Sequence, residues 1–195
     1  MPLTGTSVQL RAIERSDAPK FYAWINDREV TEHLGIVYPL SLSSEQEWAE
    51  NAAKQNSYLD SQFAIEVIET GEHIGNCGIH RGNIEQRSCE VGIVIGVKEQ
   101  WGKGYGADAL RTLVTFAFRQ LNMRRVMLFV DENHPGAITS YERVGFQVEG
   151  RERAAHWSRG RAVDFLAMSI LRDEFDERYG AHDEWVKEAV DAVTA

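Results

Sequence analysis

The segment Trp101-Gly102-Lys103-Gly104-Tyr105-Gly106-Ala107 constrains this chain more than any other. It leaves an apolar run, Glu90 to Val97, and enters a stretch in which Leu110, Leu113, Val114, Ala117, Phe118 and Leu121 recur at steps of three and four. The run reads as a buried strand and the stretch as one face of an amphipathic helix. Alternating glycines between them let the backbone come close to a ligand. The free amides at a helix start, beside the positive end of its dipole, suit an anion. A diphosphate fits such a turn. A connector that binds nothing is the plain alternative, but glycines at a helix start cost about 1 kcal/mol each relative to alanine, and a mere connector does not require them.

Two familiar nucleotide loops are weighed against this segment. A Walker A loop fails, because five residues separate Gly96 from Gly102 where four are needed, and Lys103 is followed by glycine rather than Ser or Thr. The loose Rossmann fingerprint is met by Gly102-x-Gly104-x-x-Ala107, with Asp131 ending the next strand. Against a nicotinamide enzyme stand the surroundings: a hairpin meander precedes the loop, and the repeated βαβ halves are missing.

The rest of the chain reads as one α/β domain. Val8 to Leu10 is a short strand, and Ser16-Asp17 can cap a helix carrying Phe21, Trp24 and Ile25. Ser43 or Ser44, followed three residues later by Gln46 or Glu47, makes a capping box for a second helix with Trp48 on its inner face. Phe63 to Ile68 and Ile74 to Ile79 flank Thr70-Gly71 as a hairpin, and Val126 to Val130 is a buried strand. Pro135 opens another helix that Gly145 ends, with His134 placed to cap it. Strands at Phe146 to Val148 and Val163 to Ile170 close the domain. The expected fold is a mixed, mostly antiparallel central sheet with helices on both faces, formed by residues 1–181. Residues 182–195 are expected as a helical extension, because Trp185, Val186, Ala189, Val190 and Val193 make a stripe at helical spacing.

Composition excludes several classes. At 195 residues and 43% hydrophobic, the chain can bury a core without staples. Thirty acidic residues against twenty-one Lys and Arg give a net charge of −9, which repels nucleic acid and anionic lipid and mildly attracts cations. Cys77 and Cys89 lie in or beside apolar runs, which suits buried thiols in a reducing cytosol, and no apolar run approaches the roughly 20 residues of a membrane span. The six histidines lack metal-ligand spacing, so no metal is expected. A cytoplasmic protein is expected.

A set of motifs in fixed order carries a family resemblance: Leu10-Arg11-Ala12-Ile13 with Asp17, Trp24-Ile25-Asn26-Asp27, Glu90-Val91-Gly92, and Trp101 to Gly106. Further on come Ala137-Ile138, Tyr141-Glu142-Arg143-Val144-Gly145-Phe146 and Glu149-Gly150. In these the chain, over about residues 7 to 175, resembles the GNAT superfamily of acetyl-coenzyme A dependent N-acetyltransferases. The similarity is closest to the branch of ribosomal-protein and polyamine acetyltransferases. Two departures are visible. Trp101 stands where the family often has Gln or Arg, an exchange this branch commonly shows. Asn133 lies one residue farther from Tyr141 than the usual Asn.

The resemblance implies acetyl-coenzyme A as co-substrate, with the amides of Gly102, Lys103, Gly104, Tyr105, Gly106 and Ala107 on its diphosphate. It also implies that the splayed strand end Ile95, Gly96, Val97 pairs with the pantetheine arm and that Asn133 makes a cofactor contact. An amide at Ile95 or Gly96 is the implied oxyanion donor. Tyr141 is the implied acid at the sulfur, with a core aromatic as its plain alternative. Glu90 is the first choice of base for an amine that titrates near about 10.4, with a solvated strand end as the alternative and Glu32 as another acid. Glu32, His33 and Tyr38 fall on the acceptor side, and His156-Trp157-Ser158-Arg159-Gly160-Arg161 is a hairpin turn at the family's substrate wall or dimer contact. The expected activity is direct acetyl transfer in a ternary complex to a primary amine, of a polyamine-like or other cationic small molecule or of a protein amino terminus. A homodimer is open. A non-catalytic acyl-coenzyme A binding module and an NAD-binding oxidoreductase are the alternatives.

Overall fold

A computed structural model describes residues 3–36, 38–54 and 57–180, so the expected extension at 182–195 lies outside the described residues. The chain runs through β1 (Leu3–Thr4), β2 (Val8–Ala12), a 3-10 turn at Arg15–Asp17, α1 (Ala18–Ile25), α2 (Leu42–Lys54), β3 (Ser61–Val67) and β4 (His73–Asn83). It continues with β5 (Ser88–Ile95), a 3-10 turn at Lys98–Gln100, α3 (Tyr105–Arg119), β6 (Arg125–Asp131), α4 (Pro135–Val144), β7 (Gln147–Ser158), β8 (Arg161–Leu171) and α5 (Arg172–Tyr179). These strands form one sheet in the order β1-β2-β3-β4-β5-β6-β8-β7. Neighbours are antiparallel except β5 and β6, which are parallel. The expected mixed sheet with helices on both faces is present.

The β5–β6 pair is short. Its register covers Ser88 with Arg125, Cys89 with Val126 and Glu90 with Met127, and then stops. Beyond Glu90 the two strands part, while β5 continues along β4 to Ile95 and β6 continues along β8 to Asp131. The sheet therefore carries a wedge-shaped gap whose mouth lies at the carboxyl ends of two parallel strands, the place where open α/β sheets hold ligands.

Each face of the sheet has its own apolar layer. On one side Leu110, Leu113, Val114 and Phe118 of α3 are fully buried with Val126, Leu128 and Ile170. On the other, Phe21 of α1 and Ala49 and Ala52 of α2 pack with Ile13 and Ala64, and Trp48 meets Phe21 edge-on at 5.0 Å. The periodicity of α3 made it the most legible helix, and it begins five residues before its apolar stripe, at Tyr105.

Several boundaries differ from the sequence expectation. α2 starts at Leu42, so the cap is Ser41, whose Oγ accepts from the Ser44 amide at 3.1 Å; neither Ser43 nor Ser44 is the cap. His134 holds the cap position of α4 but makes no capping bond, while Pro135 and Gly145, at φ 114°, open and end the helix as expected. β7 reaches Ser158, ten residues past the expected end at Val148, and the longer strand is not legible in the sequence because its outer edge is filled with charged Arg and Glu side chains rather than an apolar alternation. α5 was not visible in the sequence: Phe175 is its one buried residue, packed 5.4 Å from Phe118.

Candidate active site

The glycine-rich loop closes the mouth of the gap from the β5 side. After Ile95 the amides of Gly96 and Val97 both donate to the Ile74 carbonyl, at 2.8 and 3.2 Å, which turns the chain away from the sheet into the Lys98–Gln100 turn. Gly102 and Gly104 then adopt φ of 73° and 88°, the left-handed region, with open space where a Cβ would stand. Glycine is needed there for its backbone and not for room. Gly104 is the cap position of α3, so the amides of Tyr105, Gly106 and Ala107 are first-turn donors without helical partners. Lys103 is exposed and donates to Gln100 Oε1 at 2.9 Å. This loop fits a diphosphate: free amides converge on a helix start, and the space beside Gly102 and Gly104 is open.

The free edge of β5 is set by alternation. Successive residues of a strand turn their N–H and C=O groups to opposite sides. Because Gly96 turns to β4, Ile95, Ile93 and Val91 turn to the gap. One of those acceptors is already engaged, since Trp101 Nε1 donates to the Ile95 carbonyl at 2.8 Å. Of the three residues expected to meet a pantetheine arm, Gly96 and Val97 thus have their amides tied to β4, and the open edge lies at the Val91 carbonyl, Ile93 and the Ile95 amide. The Gly96 amide is not a free oxyanion donor either.

Tyr141 is half-buried on α4, packed against the main core and 6.3 Å from the Phe146 ring. Burial pushes its hydroxyl up to about 12. It stays protonated at neutral pH, as an acid must. Glu90 is the last β5 residue paired with β6, and sits between buried Cys89 and Val91, so it faces the opposite layer. Its Oε2 accepts from Arg81 at 2.9 Å. Cys89 is raised to about 12 by burial and Cys77 is raised further for the same reason, so neither thiol is a nucleophile at neutral pH.

A cavity of about 830 Å³ opens beside β6. Its walls come from the loop after α1, including Glu32, His33 and Tyr38, from the β7–β8 turn with Trp157 and Arg159, and from Asp131 at the gap's far lip. The expected acceptor residues Glu32 and Tyr38 are therefore together in one wall, and the hairpin turn lines the other. Glu32 Oε1 accepts from Arg159 at 2.7 Å across the cavity. Asp131 is buried, and burial opposes its charge. Hydrogen bonds from His33 at 2.8 Å, the Asn133 amide at 2.8 Å and Asn133 Nδ2 at 2.9 Å overcome this and hold its carboxyl below the usual range. Asn133 accordingly turns its side chain to Asp131. Sequence reasoning had seen Asp131 only as a strand-end acid, and its partner stands 98 positions away in a loop with no period.

Comparison with known proteins agrees with this geometry. Residues 7–147 match the family model described as acetyltransferase (GNAT) domain. Uncharacterized N-acetyltransferase p20 of Bacillus licheniformis is 30% identical over 85% of this chain and 93% of its own length. Spermidine N(1)-acetyltransferase of Vibrio cholerae is 26% identical over 89% of this chain and 98% of its own. The crystal structure of the Vibrio cholerae spermidine N-acetyltransferase in complex with CoA and spermine superposes with a TM-score of 0.78, at 26% identity, covering 87% of this chain and 98% of that one. The chain belongs to the GNAT family of N-acetyltransferases.

Proposed function

We propose that this chain transfers an acetyl group from acetyl-coenzyme A directly to a primary amine of a cationic, polyamine-like small molecule held in the cavity beside β6. The observation that carries this is the gap between β5 and β6, which has the glycine loop at one lip and Asp131, a cavity wall, at the other. Reactants delivered to the two sides of one gap can meet without a covalent enzyme intermediate. The net charge of −9 and the naming of relatives as spermidine acetyltransferases support a cationic acceptor.

When bound, acetyl-coenzyme A supplies an acyl group activated toward amines. The chain holds the diphosphate with the amides of residues 102–107 and lays the arm along Val91 to Ile95. It also has two proton tasks. Tyr141 delivers a proton to the departing sulfur; the burial that raises its hydroxyl to about 12 raises a thiol in the same direction, as it does that of Cys89, so the two stay close enough for transfer. The acceptor amine, almost wholly protonated at neutral pH, must lose a proton to a base.

Arg28 and Arg159 stand in the cavity alongside Glu32, so its wall carries both signs of charge. This favours a peptide amino terminus as the second reading, since a peptide brings carbonyl and carboxyl groups with its amine. Thiol release from acetyl-coenzyme A with spermidine, spermine, an aminoglycoside and a short peptide tests both. Release that depends on the polyamines is expected. Tight binding of acetyl-coenzyme A with no amine-dependent release would instead leave a binding module, and calorimetric preference for NAD would leave an oxidoreductase.

A further inference from the structure

We infer that His33, oriented by Asp131, is the base that takes the proton from the acceptor amine. This rests on the acetyl-transfer reading above and assigns its missing proton acceptor. His33 lines the cavity, and its Nδ1 lies 2.8 Å from Asp131 Oδ2. Asp131 is ionised and accepts only, so the Nδ1–H tautomer is favoured and Nε2 is left with its lone pair. Among the described residues Nε2 has no hydrogen-bond partner. A carboxylate that fixes one nitrogen of an imidazole while the other faces a ligand space is the arrangement by which histidine serves as a general base.

The imidazole also stands at the amino end of the helix that carries the proposed acid. Its ring stacks on that of His134, with centroids 4.3 Å apart. His134 is the cap position of α4 and Tyr141 lies seven residues on, close to two full turns, so both stand on one side of the helix about 10 Å apart along its axis. A base, an attacking nitrogen, an acyl carbon, its sulfur and an acid span roughly 10 Å when each contact is near 3 Å. His33, stacked on the residue that caps α4, and Tyr141, two turns along that helix, are assigned to the two ends of that array.

The surroundings favour this group over the others in the wall. Glu32, on the same loop, is held by Arg159. Arg28 of that loop adds a positive charge to the wall. His156 of β7 is stacked on Phe165 at 4.7 Å and covers Gly35, so it is a packing residue. From α4, burial and the nearby His33 lower His134, which favours its neutral form. Glu90 does not line the cavity and is tied to Arg81.

In the step, His33 Nε2 takes the proton that the amine nitrogen gives up as its bond to the acyl carbon forms and the carbon–sulfur bond breaks. Tyr141 gives its hydroxyl proton to the sulfur. The imidazolium then returns its proton to solvent and Tyr141 regains one, so a neutral amine and the thioester give amide plus thiol with no net proton, and an acceptor that arrives as ammonium first sheds one further proton to solvent.

The test is the pH profile of kcat/KM, read by thiol release with spermidine and with a peptide amine, for the full chain and its variants. Histidine exchanges its proton between pH 5 and 8, so a rising limb there is expected in the unaltered chain. His33→Gln should lower kcat by roughly 10²-fold and erase that limb while leaving acetyl-coenzyme A affinity unchanged. Imidazole added to His33→Ala should restore part of the rate, which a structural role would not permit. Asp131→Asn should move the limb to lower pH, because the negative charge that favours imidazolium is gone. If the unaltered chain is active and His33→Gln keeps its turnover and limb, or Glu90→Gln alone removes the limb, the proposal is overturned. If the unaltered chain releases no thiol with any amine, the acetyl-transfer reading falls first.

Discussion

Single side chains at the gap divide into those whose chemistry could be read in the sequence and those whose chemistry only the fold assembles. Tyr141, proposed as the acid, belongs to the first kind in that the motif around it marks it in the sequence, and it lies half-buried on α4. Tyr141→Phe keeps the ring and its contact with Phe146, so kcat is expected to fall by roughly 10²-fold with acetyl-coenzyme A affinity within about twofold, as steady-state rates and calorimetry would report. An unchanged kcat would remove Tyr141 from the reaction. His33 and Asp131 are of the second kind. Neither residue is unusual in its own segment, and the 2.8 Å bond between them depends on a loop folding back over the end of β6. No local period encodes such a meeting, although an acidic residue ending a strand beside a His-containing loop is a signal worth testing.

Among the elements, α3, β3, β4 and β6 could be read because their apolar residues follow a 3.6 or a 2 period or form a continuous run. β7 and α5 could not, for the opposite reason: one is a charged edge strand and the other has a single buried anchor, Phe175. The glycine loop was legible as a turn from strand to helix, yet not in its detail, because hydrogen bonds to Ile74 that decide which amides remain free are long-range. Gly104→Ala places a side chain at φ 88°, so it is expected to lose about 1 kcal/mol in thermal unfolding and at least tenfold in acetyl-coenzyme A affinity. A Cβ at Gly96 would instead collide with the Trp24 ring. Gly96→Ala should therefore act on packing between α1 and β5, and show as lower stability with a retained affinity if the diphosphate loop is undisturbed.

Across the whole molecule, a polar knot ties β2, α1, β3 and β4 together at the sheet half that faces away from the cavity wall of β7. Arg11 bonds Asp17 through both terminal nitrogens, at 2.8 and 2.9 Å, and Glu66 at 3.0 Å, while buried His73 stands 3.1 Å from Asp17. Burial disfavours the Asp17 charge, but the bonds from Arg11, His73 and the Glu14 amide outweigh it and depress the carboxyl well below its ordinary range. A depressed carboxyl contributes stability that is complete above its unfolded value, about 3.9, and is lost as pH falls towards its folded one. Asp17→Asn is expected to lower unfolding free energy by about 3 kcal/mol at pH 7, with the difference between the two proteins narrowing in urea titrations below pH 4. A difference that stays constant down to pH 2 would place the effect elsewhere.

The three-pair contact between β5 and β6 has a mechanical consequence for the same large scale. A sheet stitched at one corner is two plates sharing a hinge, and any extended molecule lying in the open seam becomes a missing rung between them. Occupancy should then be felt as stiffness: amide hydrogen exchange at Ile93 and Ile95 would slow when the seam is filled, and the plates on either side would begin to unfold as one body rather than two.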